Sequence, residues 1–413
     1  MSLLYHDLFY TIGEILAQNG ETSALDLLRM TNKKISKIRL DEPLIFEYVI
    51  VSNSYIGIPI SLGVGGELYI DWGDGITTVL PNTEDMYYLH TVTHHTYNRT
   101  GVYRIKVYNK YRDVYIHIGS SKNWADNISD FITLGRIGLK SLDGMFMNTR
   151  FNGKIGPNWD TTTITDLSRI FGGCRQFNQK LNWNTENVTD MSYAFNQARR
   201  FNQRLNWDTS NVTDMSHMFG NAVGFNQPFG KKWNTSKVID MSCMFGNAIK
   251  FNQKINFDTP NVRKMISMFM YATSFNQTLK WDVRNVRTMR AMFYRAKNFN
   301  QALEWDTENV VDMSHMFSHS TNFNQRLIFN TRNVRFMNCM FENVENFNQP
   351  IDWDIRNVKK IYYMFYGAKR FNQSLNWVLG KHVNIDSIFG YVIAGDLLQM
   401  SPLYKLYKGE IQT

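Results

Sequence analysis

A fixed pattern of hydrophobic and polar positions recurs along more than half of the chain. The triplet Phe-Asn-Gln opens nine units, at positions 177, 201, 225, 251, 275, 299, 323, 347 and 371, and a degenerate tenth opens at Phe151. The step is 24 residues, except for steps of 26 from position 151 to 177 and from 225 to 251. A constant period of this size is the signature of a solenoid, in which equivalent residues stack from coil to coil.

Two periodicities lie inside each unit. Leu205 and Trp207 are two positions apart, as on one face of a strand. Met215, Phe219 and Ala222 follow at the spacing of i, i+4 and i+7, which predicts one face of a helix. We therefore expect an α+β, leucine-rich-repeat-like solenoid of about ten 24-residue strand-turn-helix coils.

Asparagine recurs beside these apolar positions, for example at Asn202 and Asn211. Buried amides need hydrogen-bond partners. We expect the Asn side chains to bond along the stack or to turn backbone, and the Trp and Met residues to form its core.

The unit from Phe201 to Phe219, repeated over residues 151–377, resembles the BspA-like leucine-rich-repeat family. Members of that family occur on bacterial and protist surfaces and in large DNA viruses. The resemblance implies a binding or adhesion protein with no catalytic activity.

Residues 1–43 are predicted to be helical, with Leu8, Ile12, Ile15 and Leu16 on one apolar stripe. The segment resembles an F-box, which implies that these four residues contact a Skp1-like adaptor. The alternative is a helical hairpin that caps the next domain or mediates self-assembly.

Residues 44–119 are predicted to form a small β-sandwich. The run from Leu68 to Gly75 predicts a strand that enters an Asp-Gly turn, and His95-Thr96-Tyr97 precedes a further strand. These elements resemble a PKD-like module. Asp71, Asp74, His94 and His95 resemble a metal cluster, but we expect Asp74 to stabilise its turn and predict no metal site.

The remaining boundaries follow from weaker repeat signals. Residues 120–150 are predicted to be a transition with an imperfect first coil, and residues 378–413 a C-terminal cap.

Composition limits which cellular compartment and which kinds of functional site we expect. The three cysteines do not indicate a disulfide framework. The N-terminus lacks the pattern of a signal peptide, and no apolar run is long enough to span a membrane. We therefore expect an intracellular or virion protein. His217 and His315 lie four units apart, so they predict no catalytic pair; no cofactor is expected.

Charge changes along the array at three variable positions of the unit. Early units carry Thr, Ser, Asp or Glu there, apart from Ile239. Later units carry mostly Arg or Lys, interrupted by Glu308, Val311 and Asp312; the protein's net charge is +9. Because equivalent positions align in a solenoid, we predict a basic stripe on its later half, extended by Arg290, Arg295 and Lys297. The stripe comprises Arg263, Lys264, Arg284, Arg287, Arg332, Arg335, Arg356, Lys359 and Lys360.

A one-sign surface attracts oppositely charged partners. The hypothesis is a non-enzymatic protein that binds another protein through these positions, with an acidic protein surface or a glycan favoured over nucleic acid. Two alternatives remain open. One is a structural virion or capsid-associated component; the other is an F-box-type substrate adaptor of a ubiquitin ligase.

Overall fold

The computed structural model describes most of the chain from residue 43 onward. The described residues are 43–51, 54–62, 68–80, 91–109, 116–118, 124–135, 137–156, 159–380, 383–385, 387–392 and 395–409. The F-box-like residues Leu8, Ile12, Ile15 and Leu16 lie outside them.

Two open sheets precede and enter the repeats. Their strands are β1 Leu44–Ile50, β2 Ser54–Leu62, β3 Leu68–Asp71, β4 Thr77–Leu80, β5 Thr91–Tyr97, β6 Gly101–Asn109, β7 Ile116–Ile118, β8 Ile128–Thr133 and β9 Lys154–Ile155. The larger sheet has the order β4-β3-β6-β1-β8-β9, and the smaller one β5-β2-β7. All pairings are antiparallel except that of β8 with β9. Because β9 lies just after Phe151, the larger sheet includes a strand of the first repeat.

The alternating burial of residues along β1 shows how the larger sheet packs against the repeats. Its residues alternate between buried and half-buried, as expected for a strand with one face on a core. Phe46 packs on Phe131 and Trp124, with ring centroids 5.4 and 6.0 Å apart. Phe131 in turn contacts Phe146, at 5.8 Å. One continuous core therefore joins the sheets to the repeats.

The expected structural role of Asp74 is confirmed. Its Oδ1 accepts a hydrogen bond from the Ile76 amide at 3.1 Å, which closes the turn between β3 and β4. Its Oδ2 lies 2.7 Å from Nε2 of His95. The His95 ring stacks on buried Trp72 at 4.9 Å.

The predicted helix of each repeat is absent, and the α+β strand-turn-helix solenoid is wrong. The Met-x-x-Met-Phe segments are successions of tight turns. Two positions of each unit have positive φ, for example His217 (57°) and Asn221 (58°). A residue in this left-handed region cannot continue a right-handed helix.

Backbone hydrogen bonds show what replaces the helix. The amides of His217 and Phe219 donate to the next coil, to the carbonyls of Ser242 at 2.8 Å and Met244 at 2.9 Å. Between them, Met218 donates to the Met215 carbonyl within its own coil, at 3.2 Å. Turns and links to the next coil thus alternate along the segment.

The i, i+4 and i+7 spacing of the apolar residues wrongly predicted a helix, because a succession of tight turns also places a side chain on the same face every three or four residues. Among the described residues, helix is confined to α1 Asp396–Gln399 and α2 Pro402–Tyr407. Neither is long and apolar enough to cross a membrane. Both follow the last coil, where Phe389 contacts Tyr404 and Tyr407, each at 5.5 Å.

Asparagine side chains also link successive coils, as predicted, outside the turn segments. The Asn300 amide donates to Oδ1 of Asn276 at 3.0 Å, and Oδ1 of Asn300 accepts from the Asn324 amide at 2.9 Å. A second series runs through the other recurrent Asn; Nδ2 of Asn309 donates to the Arg284 carbonyl at 2.8 Å. The first series holds the extended part of each coil, where backbone bridges are sparse, and the second holds a turn.

The positive-φ positions predict an unusual response to glycine. Ala291 has φ 54°, so Ala291→Gly relieves left-handed strain and should stabilise the chain by about 0.5–1 kcal/mol. Ala302→Gly is the control, because this exposed residue is absent from the positive-φ set and should lose about 0.5–1 kcal/mol. Chemical unfolding of both variants measures the difference; equal signs would contradict the turn geometry.

Candidate interaction surface

All nine residues of the predicted basic stripe are exposed. The structure divides them into three sets. The basic ladder comprises Arg263, Arg287, Arg335 and Lys359, the paired arginines are Arg284, Arg332 and Arg356, and Lys264 and Lys360 stand beside the ladder.

The basic ladder lies on a continuous series of backbone hydrogen bonds. The Arg287 amide donates to the Arg263 carbonyl at 2.9 Å, and the Lys359 amide to the Arg335 carbonyl at 2.8 Å. Val311 occupies the intervening coil and is bonded on both sides in the same way, at 2.9 Å. Adjacent coils linked like strands are about 4.8 Å apart, so the four cations are closely spaced on a fixed backbone.

Within the described part of the chain, no carboxylate forms an ion pair with any of the four ladder residues. Arg287 instead donates to Oδ1 of Asn309, at 3.3 Å. The positive charge of the ladder therefore faces solvent without local neutralisation.

The paired arginines differ from the ladder. Arg284 and Arg356 each form a two-pronged ion pair with an aspartate two residues earlier, Asp282 and Asp354, with closest distances of 2.7 Å. Arg332 pairs with Glu308 of the preceding coil. The hydrogen bond from Arg356 lowers the pKa of Asp354 to about 2, so this pair stays charged and mutually neutralised at neutral pH.

Lys264 and Lys360 occupy a position that elsewhere stabilises the coil. In five coils this position is an aspartate whose Oδ1 accepts the amide two residues on, as Asp214 does from Ser216 at 2.7 Å. Lysine has no acceptor for that bond. These two coils thus give up a turn-stabilising hydrogen bond for an exposed cation, which is typical of a functional position. Lys264 forms an ion pair with Asp240 of the preceding coil at 3.1 Å.

The sequence analysis did not predict that tyrosine and arginine side chains of the turn segments pack against one another. The Arg295 guanidinium lies 5.3 Å from the Tyr271 ring centroid and 5.4 Å from that of Tyr294. The helix interpretation obscured it, because the positive-φ residues were assigned to a helix. Arg295, which was predicted to extend the basic stripe, is half-buried against these two tyrosine rings.

The coils and their exposed variable positions define a tandem-repeat protein. Matches to one family profile cover residues 140–232, 230–304 and 302–395. The chain belongs to this family, described as "Mycoplasma protein of unknown function, DUF285". Searches of curated proteins and of solved structures gave no match.

The matches leave several sequence interpretations untested. They begin at residue 140, so the PKD-like assignment of residues 44–119 stays a prediction. The family description names no activity or partner, and the virion and adaptor interpretations also stay predictions.

Proposed function

We propose that this protein is a non-enzymatic binding protein that holds an acidic protein surface against its basic ladder. The observation that carries the proposal is the series Arg263, Arg287, Arg335 and Lys359: exposed cations on four of five successive coils, without carboxylate partners among the described residues. Lys360 widens the same surface, whereas Lys264 is ion-paired with Asp240.

The backbone under the ladder supports binding by a preformed surface. Each ladder amide is already bonded to the preceding coil, so little main-chain order remains to be gained on association. Rigid presentation of side chains lowers the entropic cost of binding. Exposed charges mainly raise the association rate and the selectivity for a partner of opposite sign.

A salt titration tests this directly. The full-length chain is passed over immobilised poly-L-glutamate, with poly-L-lysine as the opposite-sign control, at increasing sodium chloride. We expect binding to poly-L-glutamate alone, with an association rate that falls steeply from about 0.05 to 0.5 M salt because screening shortens the reach of exposed charges. Salt-independent binding, or equal binding to both polymers, would refute the proposal.

The same surface can be challenged with heparin and duplex DNA. An acidic-protein site should not prefer either of them over poly-L-glutamate at matched charge concentration. Stronger binding to heparin would replace the proposal with glycan binding, and stronger binding to DNA would replace it with nucleic-acid binding.

A further inference from the structure

Three metal-ligating side chains of different chemistry meet on two adjacent coils. His315 and Cys339 occupy the same positive-φ turn position one coil apart, with φ 59° and 57°. Glu342 follows Cys339 by three residues on the same turn segment. A ring nitrogen of His315, Sγ of Cys339 and a carboxylate oxygen of Glu342 all lie within 4.8 Å of one another.

We propose that His315, Cys339 and Glu342 form a Zn²⁺ site. A mixed set of nitrogen, sulfur and oxygen donors suits zinc, which binds them at about 2.0–2.3 Å in a tetrahedron. Ligand atoms at those bond lengths lie roughly 3.5 Å apart, so separations within 4.8 Å require the side chains to close by at most about 1.3 Å. Three protein ligands leave the fourth position to water.

Loading such a site releases a proton from the Cys339 thiol, because the thiolate is the form that ligates a metal. Zinc binding replaces that proton, Cys–SH + Zn²⁺ giving Cys–S⁻–Zn²⁺ and H⁺ released to solvent.

A neighbouring hydroxyl orients the carboxylate ligand: Ser318 donates to Oε2 of Glu342 at 3.0 Å. Hydrogen bonds of this kind fix the direction of a ligand and commonly change metal affinity. Nδ2 of Asn338 lies 3.4 Å from Nε2 of His315, and because an amide N–H only donates, this group must turn away when His315 binds a metal through that nitrogen. Cys339 is 7% exposed, so it is the most buried of the three residues.

The chain contains its own matched control. His217 and Cys243 occupy the same turn position four coils earlier, also on adjacent coils and at positive φ. Gly246 stands where Glu342 stands in the proposed site, so this pair lacks the carboxylate. It should bind zinc weakly or not at all.

Co²⁺ titration of the full-length reduced chain tests the site, since Co²⁺ replaces Zn²⁺ and a bound thiolate gives a sulfur-to-cobalt charge-transfer band. We expect one thiolate-bound Co²⁺ per chain, displaced by Zn²⁺. Cys243→Ser should retain the band, and Cys339→Ser should lose it and bind Zn²⁺ at least tenfold more weakly. Absence of the band in the wild-type chain, or its loss in Cys243→Ser with retention in Cys339→Ser, would overturn the site.

Glu342→Gln keeps the test decisive if Cys339→Ser fails to fold. Glu342 is only half-buried, and Gln preserves its shape and its acceptance of the Ser318 hydrogen bond. The site predicts at least tenfold weaker Zn²⁺ binding in this variant, measured by competition with a chromophoric chelator. Unchanged affinity in a folded Glu342→Gln chain would refute the role of the carboxylate.

Discussion

Phe219→Ala is expected to destabilise the chain by about 3–5 kcal/mol, the usual cost of removing a buried aromatic ring. Phe219 is 0% exposed. Its ring stacks on Phe225 at 4.1 Å and on the equivalent rings of the coils before and after, Phe195 at 5.6 Å and Phe245 at 5.8 Å. The truncation therefore leaves a cavity that faces two coil interfaces.

Neighbouring coils should share this loss. In a repeat array each unit is stabilised by its neighbours, so a weakened coil opens the array locally. Hydrogen exchange should accelerate most around residues 191–248. Arg204→Ala is the control, because an exposed side chain outside the core should change stability by no more than about 0.5 kcal/mol.

Chemical unfolding of the full-length chain, followed by tryptophan fluorescence, gives the comparison. A loss below about 1 kcal/mol for Phe219→Ala would mean that the continuous ring stack contributes little. A uniform rise in exchange along all coils would contradict the nearest-neighbour account of the array.

Reversing the charge of the basic ladder should have the largest effect on the rate of association with an acidic partner. In the triple variant Arg287→Glu, Arg335→Glu and Lys359→Glu, three solvent-facing cations become carboxylates. We expect at least tenfold slower association with poly-L-glutamate, because like charges repel during encounter. The remaining association should also depend less on salt.

The control changes the same charge elsewhere. Arg204, Lys254 and Arg326 are exposed at another shared position of the unit, close after the Phe-Asn-Gln triplet. Reversing all three gives the same net charge as the ladder variant, so a simple net-charge effect would slow both alike. Equal association rates for the two triple variants would remove the ladder from consideration.

The structure explains why the paired arginines are poorer targets. Arg284 and Arg356 are held by Asp282 and Asp354, so their reversal would also break an ion pair and leave a repelled carboxylate. Exposed ion pairs contribute little to stability, but they do remove free charge from a surface. Sequence alone had grouped these arginines with the ladder.

The repeat period predicted the relations between coils better than the path of the chain within one coil. The 24-residue step correctly placed Asn276, Asn300 and Asn324 in register along the stack. The apolar spacing from Met215 to Ala222 predicted a helix, because side-chain periodicity does not report the sign of φ.

A signal of the turns was nevertheless present in the sequence. The second positive-φ position is Asn or Gly in many units, at Asn148, Gly173, Asn221, Asn247, Asn343 and Gly367. These residue types are enriched in the left-handed region. Gln, Tyr, Arg and His fill the position in other units and obscured the pattern.

The His315–Cys339 contact was missed for a related reason. The two residues are 24 positions apart, one full period, so they lie on adjacent coils at the same place. Residues of one type, His217 with His315 and Cys243 with Cys339, are four units apart, so the sequence pattern did not indicate a pairing of histidine with cysteine. Glu342 joins them only through the turn geometry, which the sequence did not reveal.

Lysine acetylation of the full-length chain, with and without poly-L-glutamate, tests the central claim most directly. We expect strong protection of Lys359 and Lys360, while the equally exposed Lys180 and Lys254 react as in the free chain. Protection of Lys180 and Lys254 with continued reaction at Lys359 and Lys360 would contradict binding at the basic ladder.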